Sequence, residues 1–155
     1  MHAHVSDVLF HKGHQVHSVQ PDATVRSAVD TMARLNIGAL VVLSAHRHVI
    51  GILGERDVLW RIVHESRPPD TLVIEVMAQD PVLVTPDTRV PEAMRLMTER
   101  RIRHLPVVDR DRRLVGLISI GDLTKWVTHD LEVHATDLAS YICGGTRVEI
   151  ATLLE

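Results

Sequence analysis

Shifting the chain against itself by 65 positions lays residues 16–64 on residues 81–129 without a gap. Pro21-Asp22 falls on Pro86-Asp87, Val25 on Val90, Ala28 on Ala93 and Met32 on Met97. Ile37, Leu40, Val42, Gly51 and Asp57 then fall on Ile102, Leu105, Val107, Gly116 and Asp122. A period of this size marks one structural unit used twice, and a unit so small cannot bury its apolar faces alone. The two copies are therefore expected to pack on each other. A shorter echo precedes each copy: Val5-Ser6-Asp7-Val8-Leu9 resembles Val73-Ile74-Glu75-Val76-Met77. Arg67-Pro68-Pro69-Asp70 reads as a linker, because consecutive prolines stop the helix before them.

Each copy reads β-α-β-β-α. In the second, Val82-Leu83-Val84 predicts a short strand, and Thr85-Pro86-Asp87 a turn opening a helix. Val90, Ala93, Met94 and Met97 then share one helical face. Leu105–Val108 and Leu114–Ile118 predict two strands around a polar turn, and Ser119-Ile120-Gly121-Asp122 leads into a second helix. The first copy repeats this with Val25, Ala28, Val29 and Met32 on its helix and strands at Ala39–Leu43 and Val49–Leu53. Continuous apolar strands predict sheets covered on both faces. Beyond the copies, Leu131, Ala135, Leu138 and Ile142 predict a C-terminal helix closed by Gly144-Gly145.

Composition narrows the function. Apolar residues make up 45% of the 155 residues but aromatics only 3%, so the core must be built from aliphatic side chains and methionine. A net charge of −3 argues against a general affinity for nucleic acid or anionic membranes. No apolar run reaches membrane-spanning length and the N-terminus lacks a secretion-type apolar stretch. The single cysteine, Cys143, fits a reduced compartment, and a cytoplasmic location is expected. No phosphate-binding glycine loop, nucleophile elbow or zinc-protease motif is present, so no enzyme is expected. His2, His4, His11, His14 and His17 crowd the N-terminus, but zinc needs three or four converging ligands, and no metal site is predicted. Trp60 and Trp126 lie at the edges of amphipathic helices, a placement common at interfaces.

At the second copy the residues become recognisable. Ile102-Arg103-His104-Leu105-Pro106-Val107-Val108-Asp109 and Gly116-Leu117-Ile118-Ser119-Ile120-Gly121-Asp122-Leu123 resemble the two signature segments of the CBS domain. Gly51-Ile52-Leu53-Gly54-Glu55-Arg56-Asp57-Val58 is the second segment in the first copy. Together they resemble a CBS pair, or Bateman module, of the small stand-alone bacterial type. The implied fold is α/β (α+β): two tandem β-α-β-β-α repeats packed with pseudo-two-fold symmetry, over residues 5–66 and 70–130, with a C-terminal helix and tail over 131–155.

The resemblance implies a regulatory sensor of adenine nucleotides (AMP, ADP, ATP, NAD(H) or S-adenosylmethionine) that requires no cofactor. It also implies a homodimer whose shape responds to ligand and signals to an effector protein. In the second copy it assigns ribose hydroxyls to Asp122 and phosphate to Ser119, Arg103 and His104. Thr85 would lie near ribose or base, backbone near Val84 would read the adenine edge, and Pro106 is a further candidate ligand contact. Ser-x-x-Asp also matches a helix capping box, and recurrence of the aspartate as Asp57 shifts the weight to ribose binding. The first copy departs from the pattern: Gly54 replaces Ser119, and Gly38-Ala39 replaces Arg103-His104. Asp57 and Arg56 remain there as candidate contacts. Tight phosphate binding is thus expected in the second cleft and weaker occupancy in the first. The competing reading is a structural or metal-binding dimerisation adaptor.

Overall fold

A computed structural model describes residues 3–142, which form helices and two small sheets in the predicted order. Helix α1 (Val5–Lys12) precedes the first repeat, which runs β1 (Ser18–Val19), α2 (Val25–Leu35), β2 (Ala39–Leu43), β3 (Val49–Gly54) and α3 (Glu55–Val58). Helix α3 continues as a π-helical stretch, Leu59–His64. Helix α4 (Val73–Val76) and β4 (Ala78–Gln79) follow the linker. The second repeat holds α5 (Val90–Arg100), β5 (His104–Val108), β6 (Leu114–Ser119) and the long α6 (Ile120–Ile142). The expected C-terminal helix is thus the continuation of the repeat's own last helix. Its proposed Gly144-Gly145 stop and Cys143 lie outside the described residues.

The predicted faces meet the core. Val25, Ala28 and Met32 are buried on α2, and Val90, Ala93 and Met97 on α5. Thr24 caps α2 by accepting the Ser27 N–H at 3.2 Å. Both helices end on a left-handed residue, Asn36 and its repeat counterpart Arg101, which turns the chain into the next strand. Sheet order is β1-β2-β3-β4 in one half and β5-β6 in the other. Hairpin register is conserved between the halves, with Ala39 opposite Gly54 and His104 opposite Ser119. The short strand expected at 82–84 is reduced to a bridge, Val84 beside Val107.

Chain order and packing order differ. The second repeat's core contains Val5, Val8 and Leu9 of α1, alongside Val90, Met97, Leu105 and Ile118. The first repeat's core contains Val73, Val76 and Met77 from the α4 segment, alongside Val25, Met32, Leu40 and Leu53. Each echo segment therefore caps the repeat that it does not directly precede. The motif glycines explain how it fits. A Cβ on Gly116 would lie 2.7 Å and 2.8 Å from the Leu9 methyl carbons, and one on Gly51 would strike Met77. Only glycine lets the crossing side chain lie this close to the strand.

Candidate functional site

The site is assembled where the two repeats face each other. In each repeat a left-handed turn delivers a strand, and the paired strand delivers a helix start carrying an aspartate. Glu55 N–H donates to the Gly38 carbonyl at 3.1 Å, and Ile120 N–H donates to that of Arg103 at 2.9 Å, so turn and helix start are tied together in both repeats. The two aspartates sit three residues into their helices as capping groups. Gly54 N–H donates to Asp57 Oδ2 at 2.8 Å, and Ser119 N–H donates to Asp122 Oδ2 at 2.7 Å. In the second repeat Asp122 N–H also donates back to Ser119 Oγ at 3.2 Å, which completes a reciprocal box. Capping and ligand binding are compatible for Asp57, since no described residue donates to its Oδ1.

A cavity of about 320 Å³ opens between the repeats. The first repeat contributes Gly38, Ile52, Gly54, Arg56 and Asp57, and the segment 78–82 forms one side. The second repeat contributes Arg100, Arg101, Arg103 and His104. Four arginines and two aspartates, Asp57 and Asp80, thus line one concave space. The expectation from sequence groups Arg103 and His104 with Asp122 of their own copy. Arg103 and His104 line this cavity with Asp57 and Arg56, and Asp122 lines another, although Asp122, Lys12 and Glu55 are among the charges that act on His104. The turn before β5 and the helix start of the opposite repeat line the same cavity.

Burial sets the ionisation of the cavity groups. Asp57 has its pKa raised by desolvation, which outweighs the Gly54 hydrogen bond and the Arg61 and Arg56 charges. His104 has its pKa lowered, first by burial and then by the positive charges of Arg103 and Lys12. A neutral imidazole offers one donor nitrogen without adding to the positive charge.

Asp122 is differently furnished. Lys12, at the end of α1, donates to Asp122 Oδ2 at 2.5 Å and to the Leu117 carbonyl at 2.8 Å. Burial pushes the Asp122 pKa up, but the Lys12 and Ser119 hydrogen bonds together outweigh it and the net shift is downward. Ser119 Oγ–H is also committed to Asp122 Oδ2, at 2.8 Å. Val84, Thr85 and Pro106 do not line the cavity. Val84 donates to the Pro106 carbonyl and accepts from Val108 N–H, so its backbone groups are spent on strand pairing. Thr85 N–H donates to Thr88 Oγ1 at 3.1 Å in the turn before α5. Sequence reasoning missed Lys12, Arg100, Arg101 and the 78–82 wall. The echo ahead of each copy was the available signal, because it marked the segments that cross between repeats.

The remaining features are placed simply. No cluster of three or more His, Cys, Asp or Glu side chains fit to hold a metal occurs among the described residues. His4 begins α1, His11 packs on the Trp126 ring, and His14 Nδ1 lies 3.2 Å from the Val115 carbonyl, while His2 lies outside the described residues. Trp60 is exposed with Leu59 and Val63, whereas Trp126 packs against the second-repeat core.

This geometry agrees with comparison to known proteins. The CBS domain family model matches residues 5–64 and 73–129. The chain belongs to the CBS domain family. It is 39% identical over 150 residues to the mitochondrial CBS domain-containing protein CBSX3 of Arabidopsis thaliana, covering 91% of this chain and 72% of that protein. A putative signal-transduction protein with CBS domains from Burkholderia ambifaria superposes with a TM-score of 0.78 at 39% identity, over 83% of this chain and 96% of the other. The CBS domain protein PAE2072 from Pyrobaculum aerophilum, solved in complex with AMP, superposes with a TM-score of 0.71 at 26% identity, over 77% and 89% of the two chains. As a CBS pair, the molecule carries its two repeats in the architecture expected from its sequence. No helix among the described residues is long and apolar enough to cross a membrane.

Proposed function

We propose that this CBS pair is a regulatory protein that binds an adenine nucleotide in the cavity between its repeats and signals to a partner protein in trans. The observation that carries this reading is the convergence of Arg56, Arg100, Arg101 and Arg103 with Asp57 on one space of about 320 Å³. That volume falls at the small end of small-molecule sites, about 300–1,000 Å³. Guanidinium forks suit phosphate oxygens, and a carboxylate suits a pair of ribose hydroxyls. Ile52, Ala78 and Val82 supply apolar contact for the base. His104 completes the set as a phosphate donor. AMP bound to a relative of this architecture supports the ligand class. A homodimer is proposed through the exposed Leu59, Trp60 and Val63 of the π-helical stretch. Ligand would act on that dimer only through unequal affinity for its shapes.

A thermal-shift panel of AMP, ADP, ATP, NAD(H) and S-adenosylmethionine tests the reading. A ligand at 100 times its Kd contributes about 2.7 kcal/mol. For a chain of this size that raises Tm by roughly 5–10 °C. Asp57→Asn and Arg103→Ala should each abolish most of the shift. Absence of a shift with every nucleotide refutes the reading, and an undiminished shift in both variants refutes the site.

A further inference from the structure

Lys12 lies where a ligand would have to lie in the second cleft. Under the 65-residue repeat, Ile52 and Asp57 correspond to Leu117 and Asp122. Ile52 and Asp57 both line the nucleotide cavity of the first cleft. The Lys12 ammonium bridges their counterparts, at 2.8 Å from the Leu117 carbonyl and 2.5 Å from Asp122 Oδ2. Its side chain is 32% exposed and that of Asp122 is 23% exposed, so the pair is half-buried rather than a loose surface contact.

The asymmetry has a local cause. Helix α4 is four residues long and the chain leaves it to form β4, whereas α1 is eight residues long. The extra turn carries Lys12 over the start of α6, and the packing of Val5, Val8 and Leu9 in the second-repeat core fixes the helix that holds it. The cavity containing Asp122 runs outward between α1 and α6, past Lys12, Lys125 and Trp126, and does not include Ser119 or Leu117. The first-repeat turn that corresponds by sequence to the arginine-bearing turn does not line the Asp122 cavity. The counterparts of Arg100–His104 are Leu35–Ala39, which bring no cation.

We infer that Lys12 selects the binding stoichiometry: it fills the second cleft with the chain's own ammonium group and confines nucleotide to the Asp57 cavity. This rests on the nucleotide reading of that cavity. Removing the ammonium clears the approach to Asp122, whose Oδ1, like that of Asp57, accepts from no described residue. The opened cleft accepts a nucleoside without needing its phosphate, because none of the four arginines of the Asp57 cavity has an arginine as its repeat counterpart there.

Isothermal titration of AMP and of adenosine against the full chain and Lys12→Met tests this, with Lys12→Gln as a second variant should the first fail to fold. The expected result is one AMP per protomer for the unaltered chain. Lys12→Met should bind two, the added event of similar strength for AMP and adenosine and lost in Lys12→Met/Asp122→Asn. Two AMP per protomer in the unaltered chain, or one in Lys12→Met and Lys12→Gln, overturns the role of Lys12 while leaving the Asp57 cavity standing. No binding by any of these proteins overturns the nucleotide reading, and this inference with it.

Discussion

The crossing of α1 into the second repeat makes a sharp energetic prediction at Leu9 and Gly116. Leu9 is only 1% exposed, and truncating such a side chain costs about 2–5 kcal/mol through lost burial and the cavity left behind. Gly116→Ala adds a methyl carbon 2.7 Å and 2.8 Å from the Leu9 methyls. Overpacking of this kind costs about 1–3 kcal/mol. In Leu9→Ala/Gly116→Ala the clashing methyls are gone and the new one occupies part of the void. The double variant should therefore be more stable than the sum of the singles by about 1–3 kcal/mol. Pairing Gly116→Ala with Met77→Ala is the control. Met77 belongs to the first-repeat core, so those changes should add within about 0.5 kcal/mol. Urea unfolding followed by tryptophan fluorescence reads the cycle, since Trp126 packs on the second-repeat core and against His11 of α1. Additivity at Leu9/Gly116, or coupling at Met77/Gly116 instead, would refute the crossed packing.

Two further predictions concern protons and assembly. The free-state pKa of His104 is lowered below 6.5, so the unfolded chain binds more protons than the native one in the window below that value. Stability should consequently fall as pH drops from about 7 through 6.5, and His104→Asn should flatten that part of the profile. A bound phosphate reverses the bias, and AMP affinity should rise over the same descent. Calorimetry in buffers of different ionisation enthalpy should detect proton uptake that His104→Asn removes; identical heats in both buffers would refute protonation of His104 on binding. For assembly, Trp60, Leu59 and Val63 are 51%, 56% and 65% exposed. Trp60→Glu/Val63→Glu should shift the mass measured by light scattering from dimer to monomer without lowering Tm appreciably, and an unchanged mass would remove this face from the interface.

The repeat, its element order and much of the core were legible in the sequence because each rests on local periodicity. Apolar spacing placed α2 and α5, and the strand positions followed from short apolar runs between polar turns. Asp57 and Asp122 were equally legible as a recurring pair at helix starts. What they do was not, since a capping carboxylate and a ligand-binding one share the same spacing. Sequence order assigned Arg103 and His104 to Asp122, the aspartate of their own copy. In the structure they line a cavity with Asp57 of the other repeat, while Asp122 remains among the charges that act on His104. Tertiary packing also settled the echo segments, which cross over and lodge Leu9 and Met77 against the motif glycines. Lys12 acquires its partner 110 residues away only through that crossing. Periodicity along a chain reveals which residues share a face, whereas the choice of facing partner depends on long-range packing that no local spacing encodes.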